Sequence, residues 1–405
     1  MSRQVFEGLK VVGFVQAGVG PSTLKVLNDH GAVVVRVESI HRPDNLRLAY
    51  PFQDNIPGIN RGGHFAFANN DKLSMSLNLK HPRSRGVVAK LLEWADILVE
   101  NYAPGVMARL ELSYEDVKKI NPSIIMISLS QQGQTGPHSL LPGYGPQLQG
   151  LAGFCELTGW PDRPPSLVSR SYPDYIAPRY GVIALIAALD YRRRTGKGQY
   201  IDISEYEVSV HWLVPAILDY TVNRRNQSRS GNRCPYAAPH GAYPCRGQDK
   251  WCVITVFTDE QWKAFCRVIG NPEWTKGEKF GTLLARKRSE TELDRFVGDW
   301  TIEHTAQEVM TMMQEAGVPA GVVRDSQEVV DYCPQLKHRH FFWELYHPEM
   351  GRVTNRGPSF ILSETPAELR KAAPCLGEHT QYVCQELLSM PDEEFIELLN
   401  DKVFE

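Results

Sequence analysis

The sequence of 405 residues has no closely paired cysteines and no long hydrophobic run. Its eight cysteines include no C-x-x-C spacing, which excludes a zinc ribbon and a redox-active dithiol of the usual type. The longest apolar run, Val182 to Leu189, is less than half of the roughly 20 residues that a bilayer-spanning helix needs. The first residues lack the basic start, apolar core and cleavage site of a secretory signal. We therefore expect a soluble cytoplasmic protein with reduced cysteines and no membrane partner.

Net charge is also small, because 44 basic residues stand against 47 acidic ones and leave a formal charge of -3. A chain with this balance has no broad positive field, so we expect no nucleic-acid partner. Any phosphate group that it binds must be held by local cations. Hydrophobic residues at 42% and charged residues at 22% are ordinary for folded domains and exclude long disordered tracts.

Short β-branched runs alternate with helical segments through the first half of the chain. LKVVGFV, PSTLKVLNDHG and AVVVRVES form a predicted β-α-β unit, and ADILVEN, SIIMISLS and QYIDISEYE supply further strands after helical stretches. An apolar helix from Arg179 to Arg194 precedes the last of these strands. Alternation of strands and helices predicts an α/β fold with a parallel sheet.

Composition changes after Tyr220, where a stretch rich in Arg, Ser, Asn, Gly and Pro shows no periodicity. Beyond it come a predicted strand and two helices, which are opened by the capping boxes Thr258/Gln261 and Thr305/Glu308. The length also favours more than one domain. The predicted organisation is a large domain in 1–222, a linker in 223–249, a small α+β domain in 250–330, and a segment in 331–405 that completes the large domain.

The familiar ligand-binding motifs are missing or incomplete. The turn GFVQAGVGP lacks the G-x-G-x-x-G spacing of dinucleotide-binding proteins, although ligands commonly bind at such a turn after a parallel strand. RRTGKGQ lacks the Ser or Thr of a phosphate-binding loop and is predicted to end a helix. His338 and His340 have no further ligand at usual spacing, so no metal site is predicted. No G-x-S-x-G elbow occurs, while a carboxylate nucleophile remains open.

Asp174, in the segment SRSYPDYIAPRYG, lies just ahead of the predicted apolar helix. An aspartate in this place is most often an N-cap whose side chain accepts a backbone N–H bond. A carboxylate can also attack an activated acyl group. Residue chemistry alone favours the cap and leaves the catalytic role as an alternative.

Several segments together resemble the class III CoA-transferases, the carnitine and formyl-CoA transferase (CaiB/BaiF-like) type. They include GLKVVGFVQAG, NNDKLSMSLNLKHP, ADILVENYAPGVMARL, PDYIAPRYGVIALIAALDYRRRTGKGQYIDISEYE and CLGEHT, and the resemblance runs from about Gly8 to Thr380. It implies an enzyme of the EC 2.8.3 type, with a Rossmann-like large domain made by both ends of the chain and a small middle domain. It also implies a dimer of two interlocked chains.

The resemblance assigns catalytic roles to two residues and a substrate-binding role to a third. Asp174 corresponds to the family nucleophile, Gln16 to a position beside the reacting thioester, and Tyr144 to a substrate-binding loop that faces the aspartate. In the small domain, YAAPHGAYPC replaces the glycine run of the formyl-CoA type and is more similar to the carnitine type.

The resemblance also assigns residues to the CoA site. Lys72, Asn101 and Arg109 match family positions that line this site, and Arg47 and Arg42 are further candidate cations. No tightly bound cofactor is implied, because CoA and acyl-CoA thioesters are themselves the substrates.

The implied reaction moves CoA from an acyl-CoA donor to a carboxylic acid through aspartyl anhydride and aspartyl-CoA thioester intermediates. The segment PFQDNIPGINRGGHFAFANNDK is similar to members that use bulky or aromatic acids such as benzylsuccinate, with succinyl-CoA as donor. One alternative is an α-methylacyl-CoA racemase, but Tyr144 stands where racemases carry a histidine, and a phenol is a poor base at neutral pH. Another is a non-catalytic subunit of a heteromeric transferase, against which the presence of Asp174 argues.

Overall fold

The β-branched runs predicted as strands form one six-stranded sheet in which every neighbouring pair is parallel. The structure is a computed structural model and describes residues 4–169 and 171–405. The strand order is β3-β2-β1-β4-β5-β6, the order of doubly wound nucleotide-binding folds. The predicted α/β fold with a parallel, Rossmann-like sheet is therefore confirmed.

The strands in chain order are β1 (Lys10–Phe14), β2 (Val33–Glu38), β3 (Leu73–Ser76), β4 (Ile97–Glu100), β5 (Ile125–Ser130), β6 (Tyr200–Ser204), β7 (His240–Cys245), β8 (Lys250–Thr255), β9 (Ala320–Val322), β10 (Phe342–His347) and β11 (Gly351–Arg356). The α-helices in chain order are α1 (Val19–Asn28), α2 (Gly63–Ala68), α3 (Ser84–Trp94), α4 (Val106–Arg109), α5 (Tyr114–Ile120), α6 (Gly145–Ala152), α7 (Phe154–Leu157), α8 (Tyr172–Thr195), α9 (Glu205–His211), α10 (Val214–Asn223), α11 (Asp259–Val268), α12 (Glu278–Gly281), α13 (Leu283–Arg288), α14 (Glu290–Thr301), α15 (Ala306–Glu315), α16 (Pro334–His338), α17 (Thr380–Tyr382) and α18 (Asp392–Asn400).

Both faces of β1, β2, β4 and β5 are buried, which explains why these strands have almost continuous apolar sequences, whereas the edge strand β6 is partly exposed. Val12 and Leu98 pair in register and lie in one core cluster, while their neighbours Val11 and Ile97 pair in register and lie in the other. The alternation follows from side chains pointing to opposite faces along a strand. The first cluster also includes Phe395 and other residues of the C-terminal segment.

The described residues fall into two compact units. The first comprises 4–154, 167–169, 171–226 and 335–405, and the second comprises 155–166 and 227–334. Thus the C-terminal segment belongs to the unit of the parallel sheet. In the second unit β7, β8 and β9 form an antiparallel sheet. Part of 223–249, predicted as a linker, therefore belongs to this sheet.

Local signals in the sequence account for several helix ends. The capping boxes predicted at Thr258 and Thr305 are present, since each hydroxyl accepts the N–H bond of the residue three positions on. Gly196, in the TGKG segment, has a φ of 73° and ends α8. In the part of the chain that is described, no helix has both the length and the apolar character needed to cross a bilayer.

Candidate active site

The turn after β1 and the residue after β4 lie together at the carboxyl edge of the sheet, because the two strands are parallel neighbours. The backbone N–H of Gln16 donates to Asn101 Oδ1, and Asn101 Nδ2 donates to the carbonyl of Gln16, both at 2.8 Å. The structure thus brings together Gln16 and Asn101, two of the predicted site residues. In this arrangement Asn101 holds the backbone of the turn that carries the Gln16 side chain.

The same turn is anchored from its other side by a buried ion pair. Ala17 has a φ of 56°, an uncommon value for a residue with a side chain, and its N–H donates to both carboxylate oxygens of Asp44 at 3.2 and 3.1 Å. Asp44 in turn binds the guanidinium of Arg36, which is fully buried and also donates to the Val15 carbonyl at 3.2 Å. This network fixes the turn, and no residue spacing along the chain indicates it.

Asp174 lies inside α8 rather than ahead of it. The helix begins at Tyr172, so Asp174 is its third residue and Ser171 is the N-cap residue. Asp174 is therefore not the N-cap residue, and the predicted helix start at Arg179 is wrong. The helix continues through Pro178, whose ring nitrogen cannot donate to the Asp174 carbonyl four residues earlier.

Two glycines approach the Asp174 carboxyl closely. A methyl group added to Gly18, on the turn after β1, would lie 2.9 Å from Asp174 Oδ2. A methyl group added to Gly145, the first residue of α6, would lie 2.8 Å from Oδ1. Only a residue without a side chain fits at either position without displacement. The carboxyl is therefore held between the turn that contains Gln16 and the start of α6.

Burial raises the pKa of Asp174 to about 6, while its own backbone N–H acts in the opposite direction. The position in the first turn of α8 also favours the negative form. At neutral pH the group is mostly a carboxylate, but one that has lost much of its hydration. Such a carboxylate is a stronger nucleophile than a fully solvated one.

Tyr144 directly precedes Gly145 and is 66% exposed. Its backbone N–H donates to the side-chain oxygen of Gln147 at 2.9 Å, which fixes the start of α6. The loop that carries Tyr144 thus reaches Asp174 through Gly145. The phenol itself has an open side on which a ligand can lie.

The Lys72 side chain is buried, whereas a contact with a CoA phosphate requires an accessible ammonium group. The side chain is 2% exposed, and its ammonium donates to the carbonyls of Ala68 and, at 3.0 Å, Pro21. Burial lowers the pKa of Lys72 well below its ordinary value. The ammonium therefore connects the end of α2 to α1.

Arg47 is also enclosed, since it forms two bonds of 2.8 Å with the carboxylate of Glu38 and donates to the Pro374 carbonyl. Arg109, in contrast, is exposed at the end of α4 and forms no salt bridge with the residues that the structure describes. Glu111, two residues further along the chain, pairs with Arg85.

Arg109 lines a groove of about 680 Å³ beside α3. The groove is open to solvent and has an apolar wall that includes Val88 and Leu112, while Lys80 and Arg85 are basic members of its lining. Cations at the edge of an apolar groove suit a ligand that combines phosphates with an aromatic ring. Of the predicted cations, Lys72 and Arg47 are buried, whereas Arg42 and Arg109 are exposed, and Arg109 lines the groove.

Two more buried carboxyls lie at the carboxyl edge of the sheet and were missed in the sequence. Burial raises the pKa of Glu100, at the end of β4, to about 7, although it accepts an N–H bond from Tyr102 at 2.8 Å. Glu205, the first residue of α9, is 4% exposed, and burial together with the Asp174 charge raises its pKa to about 8. Glu205 lies in the quoted QYIDISEYE segment, but nothing in its spacing indicates burial.

The parallel sheet, with buried carboxyls at the carboxyl ends of its strands, has the architecture of an α/β enzyme. CoA-transferase family III matches residues 6–380, and the chain belongs to this family. The predicted family and the EC 2.8.3 type of activity are therefore confirmed.

Individual relatives cover nearly the whole chain. It is 30% identical over 384 residues to a succinyl-CoA–D-citramalate CoA-transferase of Chloroflexus aurantiacus, covering 95% of this chain and 94% of the relative. It is 31% identical over 408 residues to the β subunit of a succinyl-CoA–L-malate CoA-transferase of the same organism, covering 98% and 97%. A solved CaiB/BaiF family protein from Brucella suis matches with a TM-score of 0.88 and 30% identity, covering 95% of this chain and 100% of the other.

Proposed function

We propose that the protein transfers CoA from succinyl-CoA to a carboxylic acid, with Asp174 as the nucleophile. The observation that carries the proposal is the Asp174 carboxyl, which is held between Gly18 and Gly145 and whose pKa burial raises to about 6. The donor is taken from the names of the two relatives, which both begin with succinyl-CoA.

The first half of the reaction releases the donor acid. The Asp174 carboxylate attacks the thioester carbonyl carbon, and the CoA thiolate leaves with the electrons of the carbon–sulfur bond. The thiolate then attacks the Asp174 carbonyl of the mixed anhydride. Succinate leaves as a carboxylate, and an aspartyl-CoA thioester remains.

The second half repeats these steps with the acceptor. Its carboxylate attacks the aspartyl thioester carbonyl and expels CoA thiolate, which then attacks the acceptor's acyl carbon. The new acyl-CoA forms, and the Asp174 carboxylate is regenerated. Because every bond broken is replaced by a bond of similar kind, no cofactor besides the CoA substrates is needed.

Each tetrahedral intermediate carries an oxyanion that needs hydrogen-bond donors. The first N–H groups of α1 have no acceptor within the helix, and Gly18, beside Asp174, is its N-cap residue. We assign the oxyanion contacts to these groups and to the Gln16 side-chain amide. Asn101 supports the assignment, because its two bonds to the Gln16 backbone hold the turn in place.

The CoA phosphates are assigned to the groove at Arg109, with Lys80 and Arg85 beside it. Lys72 acts indirectly in this proposal, since its ammonium is bound to two backbone carbonyls. Tyr144 is assigned to the acyl part of the substrate, because its ring is exposed and the next residue, Gly145, lies beside the Asp174 carboxyl.

The identity of the acceptor acid is less constrained by the sequence and the relatives than the identity of the donor. Residues 51–72 are similar to members that use aromatic acids such as benzylsuccinate, whereas the relatives above are named for D-citramalate and L-malate. A panel of both kinds of acid with succinyl-CoA, analysed by mass spectrometry, decides between them. Asp174→Asn should abolish exchange with every acid. Exchange at the wild-type rate in this variant would refute the proposed nucleophile.

We also propose that the enzyme works as a dimer of interlocked chains. Exposed apolar side chains on α8 and α10, among them Ile183, Ile186, Leu218 and Val222, support an interface with a second copy. The β-subunit relative makes a paralogous partner the alternative. Light scattering of the purified protein should give twice the chain mass, and a monomer with full activity would contradict the dimer.

A further inference from the structure

The carboxyl of Glu205 lies at the same sheet edge as the proposed nucleophile. Glu205 directly follows β6 and is the first residue of α9, which packs against both α8 and α6. These are the helices whose first turns carry Asp174 and Gly145. With 4% of its surface exposed, the Glu205 side chain is almost completely removed from solvent.

Buried carboxylates are normally paired with cations or hydrogen-bond donors. In the described residues no cation or hydrogen-bond donor pairs with the Glu205 carboxyl. The Ser209 hydroxyl donates instead to the backbone carbonyl of Glu205, at 2.6 Å. The charged group that acts on it is Asp174. Two neighbouring carboxyls without a cation cannot both ionise at low cost.

The carboxyls of Asp174 and Glu205 differ in pKa. Burial and the charge of Asp174 raise the pKa of Glu205 to about 8, whereas burial raises the pKa of Asp174 to about 6. The rise is larger at Glu205 because the Asp174 charge adds to the effect of burial, which favours the proton on Glu205 and the charge on Asp174. A pair arranged in this way keeps one nucleophilic carboxylate and one neutral carboxylic acid at neutral pH.

We propose that Glu205 is a positioning residue whose retained proton keeps Asp174 as the single negative charge of the pair during CoA transfer. The inference rests on the proposed nucleophilic role of Asp174. If Glu205 lost its proton, a second negative charge would face the tetrahedral oxyanion that forms at the attacked thioester. Retention of the proton therefore removes a repulsion that would grow in the transition state.

Other charged groups nearby face different partners. The sequence of α6 contains no charged residue, and on α8 the Arg179 guanidinium donates to the Tyr175 carbonyl. On β6, Asp202 accepts the N–H bond of Gln134 at 3.1 and 3.0 Å. On α9, Glu207 is exposed. Asp174 thus remains the group to which the Glu205 proton responds.

The test is the pH dependence of kcat/KM for succinyl-CoA in the wild type and in Glu205→Gln. Wild-type activity should rise through pH about 6 as Asp174 ionises, and should fall above pH about 8, by roughly tenfold per pH unit, as Glu205 ionises. Glu205→Gln should keep the acidic rise and lose the alkaline fall. Glu207→Gln, on the same helix turn but exposed, is the matched control and should follow the wild type.

An alkaline fall that persists in folded Glu205→Gln would overturn the inference. If the glutamine variant does not fold, Glu205→Met supplies a second neutral side chain with the same expected profile. Infrared spectroscopy of the resting enzyme gives an independent reading. The component of the protonated carboxyl band that titrates near pH 8 should be absent from both variants, whereas the component from Glu100, near pH 7, should remain. Activity retained in Asp174→Asn would instead refute the proposed function, so the two failures can be told apart.

Discussion

Replacing Gly145 with alanine tests whether close packing positions the Asp174 carboxyl. The added methyl would lie 2.8 Å from Asp174 Oδ1 and 2.7 Å from Ser171 Cα, whereas ordinary contact begins near 3.4 Å. Both groups must therefore shift by several tenths of an ångström. Overpacking of this kind costs about 1–3 kcal/mol, against a helix-propensity gain of up to about 1 kcal/mol.

The effect on catalysis should exceed the effect on stability. A displacement approaching 1 Å of a reacting group can lower the rate on the order of a hundredfold. Gly150→Ala, in the same helix, has nothing within 4 Å of the new methyl and serves as control, with an expected gain of about 0.5–1 kcal/mol. CoA exchange and thermal unfolding would be measured for both. Wild-type exchange in a folded Gly145→Ala variant would show that Asp174 is not held by this contact.

Three further changes address the rest of the site. Arg109→Ala should weaken CoA binding, measured by calorimetry, by roughly tenfold to a hundredfold, because a charge-assisted hydrogen bond is lost. Arg352→Ala, at another exposed arginine, is the control and should leave CoA affinity unchanged. Equal affinity in the two variants would remove Arg109 from the site. Asp44→Asn leaves Arg36 buried without its carboxylate and should cost about 3 kcal/mol in chemical denaturation, and a loss below about 1 kcal/mol would contradict the anchoring role. With Tyr144 in place of a histidine, a 2-methylacyl-CoA should gain no α-deuterium in heavy water, and incorporation near the turnover rate would favour the racemase.

Most strands of the large sheet could be predicted because they contain runs of β-branched and other apolar residues. The exception is β3, whose sequence LSMS contains two serines. Both are buried, and Ser74 Oγ donates to the Glu38 carboxylate at 2.8 Å, an arrangement that depends on the neighbouring strand. A polar residue that is satisfied across the sheet gives no apolar signal along the chain.

The helix that carries Asp174 shows a different limit of sequence analysis. The apolar pattern predicts a helix from Arg179, and a proline such as Pro178 normally interrupts a helix. In the structure α8 passes through Pro178 and begins at Tyr172, with Pro173 in its first turn, where proline is tolerated. Packing of Ala177 and neighbouring residues in the core supports the longer helix.

Site residues could be named from family motifs, but their surroundings could not. Asn101 and Gln16 come together as expected of residues after adjacent parallel strands. The enclosure of Lys72 and the burial of Glu205 depend on how α1, α8 and α9 pack, which no local spacing records.

The central claim is that Asp174 forms a covalent intermediate with the acyl or CoA group. The most direct measurement is to incubate the enzyme with succinyl-CoA, trap with hydroxylamine or borohydride, and locate the modified peptide by mass spectrometry. We expect a modified Asp174 in the wild type and no modification at position 174 in Asp174→Asn. Modification of another residue, or rapid exchange without any adduct at Asp174, would contradict it.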